Sequence, residues 1–140
     1  MRKRILAVAI CVCLVLSMGQ ATIAAPGRTI VSGGVSYQAR WAHISSIDLS
    51  LSSNGGWVTW TGTVRGHPGT TSIVVRYTLE WWNGTRWEFV GSWGDSGTSH
   101  ILASTGSAPG VSGLYRLTID VTVTRNGSTE RVVLSHEQWL

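Results

Sequence analysis

Tyr115-Arg116-Leu117-Thr118-Ile119-Asp120-Val121-Thr122-Val123 decides the fold. Every second residue is bulky and apolar, and each residue between is polar. Successive side chains of a strand point to opposite faces, so this stretch is a half-buried strand. Asn126-Gly127 follows, a dipeptide suited to the positive φ angles of a two-residue type I′ turn. A turn there pairs Val121 with Val132, Ile119 with Leu134 and Leu117 with His136, so inward residues meet inward residues.

The same period repeats upstream. Val35, Tyr37, Ala39 and Trp41 alternate with polar residues, as do Ile47, Leu49 and Leu51, then Val58, Trp60 and Val64. Ile73, Val75, Tyr77, Leu79 and Trp81 face inward on a long strand, with Arg76, Thr78, Glu80 and Trp82 outward. Trp87, Phe89 and Trp93 form another inward set, and His100 to Ser104 a short strand. A two-residue turn at Asn54-Gly55 pairs Leu51 with Val58 and Leu49 with Trp60. At Asn83-Gly84 the parity differs. Only an odd loop, Asn83 to Thr85, pairs Trp81 with Trp87 and Leu79 with Phe89, and it sets Glu80 opposite Glu88. Loops are expected at Arg65–Thr70 and Thr105–Ser112. No stretch has a helical apolar period. The pattern predicts an all-β domain, a sandwich or small barrel of seven or eight antiparallel strands.

The N-terminus reads differently. Met1-Arg2-Lys3-Arg4 precedes the apolar run Ile5 to Leu16, and small residues follow at Ala21 and Ala24. This is the pattern of a secretory signal-peptide helix, with an apolar run shorter than the ~20 residues a spanning helix needs. Cleavage after Ala24 leaves residues 25–140 as a single domain; cleavage after Ala21 is the alternative. Three of the eleven basic residues leave with the signal. Eight dispersed arginines then face seven acids, so no clustered basic face for nucleic acid is expected. Both cysteines, Cys11 and Cys13, lie in the signal, and a disulfide-free exported domain depends on its core alone. A freely secreted monomer is expected, with no membrane attachment after cleavage.

Ser112-Gly113-Leu114-Tyr115-Arg116-Leu117 resembles the start of strand F in immunoglobulin-like domains. There a tyrosine bonds back to upstream backbone, the tyrosine corner, which the resemblance places at Tyr115. Further stretches carry the likeness: Gly62-Thr63-Val64, Gly69-Thr70-Thr71-Ser72-Ile73, Trp82-Asn83-Gly84 with Trp87, Ser92-Trp93, and Val121 through Asn126-Gly127. Together they are similar to small secreted proteins of Gram-positive bacteria that carry one disulfide-free immunoglobulin-like β-sandwich. The similarity spans roughly residues 37 to 135. It implies an immunoglobulin-like or fibronectin III-like fold and export, and transfers no catalytic residue.

The chemistry-bearing motifs are few. Gly94-Asp95-Ser96-Gly97 matches the nucleophile sequence of chymotrypsin-like proteases, with His43 upstream. Those enzymes need a base, an orienting acid and oxyanion donors between two barrels, which one small domain cannot build. A turn after Trp93 is the expected role. His43, His67, His100 and His136 are isolated, so no metal site and no cofactor is expected. Glu80 and Glu88 on an exposed ladder lack the cleft that glycoside hydrolysis needs. No catalytic residue is assigned.

Tryptophan is the remaining signal, with eight residues against one phenylalanine. Trp41, Trp60, Trp81, Trp87 and Trp93 are expected in the core. Trp57 and Trp82 are expected outward at one end of the domain, with Arg86 beside Trp82. Exposed aromatic rings mark binding surfaces, so these three are the candidate ligand-binding residues. Cation–π packing of Trp82 with Arg86 is the structural alternative. The sequence therefore points to a non-enzymatic extracellular interaction or surface-binding module, for a protein or glycan partner. A carbohydrate-binding module using the exposed tryptophans and a secreted antibacterial protein are the alternatives.

Overall fold

The computed structural model describes residues 27–31 and 34–140, and the stretch expected from sequence to be a signal peptide lies outside them. Among these residues there is no helix. Nine strands are present: β1 (Gly27–Val31), β2 (Gly34–Gln38), β3 (Ile44–Asn54), β4 (Trp57–Gly66), β5 (Thr70–Trp82), β6 (Trp87–Gly97), β7 (Ile101–Pro109), β8 (Leu114–Arg125) and β9 (Ser128–Trp139). They form two antiparallel sheets, β1-β2-β3-β4-β7 and β6-β5-β8-β9, packed as a β-sandwich. The short β1 extends the expected set of strands by pairing with β2. The segment expected to be a loop from Thr105 is mostly strand, because β7 pairs with β4 as far as Trp57↔Pro109.

The alternation seen in sequence is the alternation of burial. Ile73, Val75, Tyr77 and Leu79 of β5 and Leu117, Ile119, Val121 and Val123 of β8 are buried, facing Val35, Ile47, Leu49, Leu51, Val58, Trp60 and Val64 of the other sheet. Trp60 is the central contact between the layers. Its ring stacks on Tyr77 at 4.2 Å between centroids and meets Trp93 at 5.4 Å. Gly62 leaves room for this arrangement, since a Cβ there would lie 2.4 Å from the Tyr77 ring. Burial pushes the Tyr77 phenol above its ordinary pKa; Ser104 opposes the shift and the charge of Asp95 adds to it.

The hairpins show which turns the chain chose. β8–β9 turns at Asn126 (φ 50°) and Gly127 (φ 77°), with Val121↔Val132, Ile119↔Leu134 and Leu117↔His136 paired as the periodicity predicts. His136 is buried there, its Nε2 3.1 Å from Gln138 Oε1. β3–β4 turns one residue later than expected. Gly55 and Gly56 both have positive φ, and Asn54 pairs with Trp57. Two glycines meet the demand of a type I′ turn at less steric cost than Asn-Gly. The register moves by two, so Leu51 opposes Trp60, Leu49 opposes Gly62, and every side chain keeps its face.

β5–β6 departs further. Its loop is four residues, Asn83 to Arg86, closed by Asn83 N–H donating to the Arg86 carbonyl, while the Asn83 side-chain oxygen accepts from Thr85 N and Arg86 N. Gly84 takes the left-handed conformation (φ 97°). The odd residue demanded by parity sits instead in a bulge: Glu80 pairs with Phe89 but Leu79 pairs with Gly91, leaving Val90 extra. Beyond the bulge Trp93 faces inward as expected. Before it, Trp87 and Phe89 turn outward, and Glu88 opposes Trp81 rather than Glu80.

Polar contacts close the sandwich around its rim. Tyr37 Oη donates to the Ser135 carbonyl across the β2–β9 side (2.6 Å), and Ser104 Oγ donates to Asp95 Oδ2 across the β7–β6 side (2.7 Å). Glu130 accepts the consecutive N–H groups of Ala42 and His43 at 2.9 and 2.8 Å. At the entry to β8, Tyr115 Oη donates to the Val111 carbonyl at 2.8 Å and accepts from Val111 N at 3.0 Å. Tyr115→Phe leaves both Val111 groups without that partner. A loss of about 1–3 kcal/mol is expected in urea unfolding; a loss within error would show that water replaces the phenol at no cost.

Candidate functional site

The outer face of the four-stranded sheet can be built row by row from the strand registers. At one end Trp87 of β6 opposes Trp82 of β5, and Leu114 of β8 opposes Trp139 of β9. The next row is Phe89, Glu80, Arg116 and Glu137. Then come four hydroxyls in line, Ser92, Thr78, Thr118 and Ser135. Strands lie about 4.8 Å apart, so each row is a ladder of side chains crossing the whole sheet.

The aromatic end is shaped by polar neighbours. Trp82 and Trp87 lie 5.3 Å apart and tilted at 59°, and the Arg116 guanidinium covers the Trp87 ring at 4.2 Å. Arg116 is fixed in turn by Glu80, which accepts from Nε at 2.8 Å and pairs with Nη2 at 2.7 Å. Phe89 and Trp139 are the most open rings, 69% and 73% exposed. An arginine held by a carboxylate over an indole makes a rigid, amphipathic surface.

The three residues singled out from sequence do not share one surface. Trp82 belongs to this face. Arg86 does not stack on it; its Nε pairs with Glu88 at 2.7 Å, and the cation–π contact falls to Arg116 and Trp87 instead. Trp57 begins β4 in the other sheet and points away from the core there. It borders a cleft of about 350 Å³ formed with the Gly55–Gly56 turn and Gly110 to Ser112. Trp57 and Trp82 thus lie at one end of the domain but on opposite outer faces. The sequence reading missed Phe89, Trp87, Arg116 and Trp139 as surface residues, the first two because the bulge at Val90 reverses their face.

Gly94-Asp95-Ser96-Gly97 is not a turn but the last four residues of β6, paired with Arg76 to Ile73. Asp95 Oδ1 accepts from the Ser96 N–H. His43 is bonded elsewhere, its Nε2 2.8 Å from Ser128 Oγ. Glu130 beside it bonds backbone N–H groups, and His43 Nδ1 is buried with no hydrogen-bond partner among the described residues. The acid that would orient an imidazole base is therefore not placed on the ring. No group of three or more His, Cys, Asp or Glu suited to a metal occurs among the described residues.

The same outer face continues into an open groove of about 610 Å³ around Arg76, Gly94, Ser96, Asp120 and Arg131. Arg131 binds both oxygens of Asp120, at 2.8 and 2.6 Å. These hydrogen bonds, with some opposition from desolvation, hold the Asp120 carboxyl below the usual carboxylate range. No known protein family, curated protein or solved structure matches the chain.

Proposed function

We propose that the chain is a secreted, non-enzymatic binding module of the immunoglobulin-like or fibronectin III-like class. Its four-stranded sheet offers its outer face to an extracellular glycan. The basic-then-apolar N-terminal sequence supports export. Strand order supports the class: β4 beside β7 in one sheet and β5, β8 and β9 adjacent in the other correspond to strands B, E, C, F and G. The Tyr115–Val111 hydrogen bonds have the form of a tyrosine corner at the start of strand F.

The observation that carries the binding role is the gathering of Trp82, Trp87, Phe89 and Trp139 on one face beside fixed charges and a hydroxyl row. Large exposed rings are costly to leave in water and are enriched where partners bind. An aromatic ring has a negative face that attracts the polarised C–H groups of a sugar ring, while Thr78, Thr118 and Ser135 can exchange hydrogen bonds with its hydroxyls.

Sedimentation of the purified protein with chitin, cellulose and peptidoglycan tests this reading. Retention on at least one is expected, falling about tenfold for Trp139→Ala and for Phe89→Ala, the scale of one interface residue worth more than 1 kcal/mol. Both side chains are exposed, so the fold is spared. Retention unchanged in both variants, or none on any of these three or on an insoluble polyuronate, would remove the binding role from this face.

A further inference from the structure

The aromatic end accounts for only part of the outer face. Arg76 lies six residues from Trp82 along β5, about 20 Å away at the rise of a strand. Its neighbours across the ladder are Gly94 on β6 and Asp120 on β8. Gly94 has no side chain to cover it, and the nearest non-adjacent atom to a Cβ built there is a backbone oxygen at 3.8 Å. The floor beside Arg76 is therefore open.

The acids around the groove are already engaged. Asp120 gives both oxygens to Arg131, and Asp95 accepts from Ser104 and from Ser96 N. The Arg76 side chain makes no hydrogen bond or ion pair among the described residues, though it is close enough for its charge to favour ionised Asp120. A guanidinium on the wall of a groove, with hydroxyls of Ser96 and Thr122 in the same lining, presents its planar fork unpaired.

We propose that this groove is a carboxylate subsite, and that the glycan lying on the face is an acidic one whose uronate group pairs with Arg76. A planar carboxylate matches the guanidinium fork edge to edge. Asp95 and Asp120 in the groove wall repel a doubly charged phosphate more than a single negative charge. The hydroxyl row of Thr78, Thr118 and Ser135 between the two ends suits a sugar chain, whose hydroxyls both donate and accept hydrogen bonds. This step rests on the glycan reading above but depends on different residues.

The test is a nitrogen-15 NMR titration of the purified protein with oligogalacturonate, its methyl-esterified counterpart, inorganic phosphate and poly-glutamate. Oligogalacturonate is expected to shift the Arg76 Nε–H and the Gly94 and Ser96 amides together with the indole N–H signals of Trp82 and Trp139. The ester should move only the indoles. Arg76→Gln should abolish the groove response and weaken oligogalacturonate binding about tenfold, with Arg76→Lys restoring only part because the fork is lost. An Arg76 signal unmoved by oligogalacturonate overturns the subsite, as does an equal response to phosphate or poly-glutamate. Groove shifts without indole shifts would keep the subsite and sink the aromatic reading instead.

Discussion

Trp60→Ala is expected to lower the stability of the domain by about 3–5 kcal/mol, the range for removing a large buried aromatic ring. Trp60 is 1% exposed and stacks on Tyr77 across the sandwich. Its indole N–H has no hydrogen-bond partner among the described residues, so truncation forfeits packing and little else. The cavity is walled by strands in two hydrogen-bonded sheets, which can collapse only in part. Domains of this size are stable by about 5–15 kcal/mol, and no cysteine lies in the sandwich to supply a disulfide. Urea unfolding should show a much lower midpoint at unchanged slope, with loss of the near-ultraviolet circular dichroism of the Trp60–Tyr77 pair. A change below about 1 kcal/mol would mean that Trp60 is not what holds the layers together.

How far the sequence discloses this fold depends on the signal each element carries. Tyr115 to Val123 alternates without interruption and Asn126-Gly127 admits one tight turn, so that hairpin could be paired residue by residue. At Asn54-Gly55-Gly56 two tight turns were open to the chain. Choosing the wrong one shifts the register by two and moves no side chain to the other face, which is why the core is still correctly named. The β5–β6 hairpin carries no such protection. Parity demanded one odd residue between Trp81 and Trp93, but nothing in Trp87-Glu88-Phe89-Val90-Gly91 says whether it lies in the loop or in the strand. The chain put it in the strand, at Val90. That choice reverses Trp87 and Phe89 and lets Arg116 cover Trp87 while Glu80 anchors it. The bulge thus hid the Trp87 and Phe89 part of the candidate surface, while Trp82 on the same face was legible as outward. The separation of Trp57 from Trp82 was hidden for another reason: both are outward, but sequence alternation does not say on which sheet.

Gly62→Val is expected to destabilise the domain by about 3 kcal/mol, the upper end of the usual cost of overpacking. Strand preference alone predicts the opposite sign. Gly62 is in the middle of β4 with no positive φ, and a β-branched residue in such a place ordinarily gains up to about 1 kcal/mol over glycine. The contact geometry decides against it. A Cβ at Gly62 would lie 2.4 Å from both Cε1 and the hydroxyl oxygen of Tyr77, far inside van der Waals contact. Tyr77 cannot swing away, because Trp60 is stacked on its ring and the neighbouring positions of β5 are buried. Gly62→Ala should show a smaller loss of the same sign. In a Tyr77→Leu background, where the ring is gone, Gly62→Ala should cost much less than in the native protein, so a double-mutant cycle would give a coupling of about 1 kcal/mol or more. A Gly62→Val protein at least as stable as the native one would mean that Tyr77 does not occupy the space above residue 62, and the Trp60–Tyr77 stack at the centre of the core would have to be redrawn.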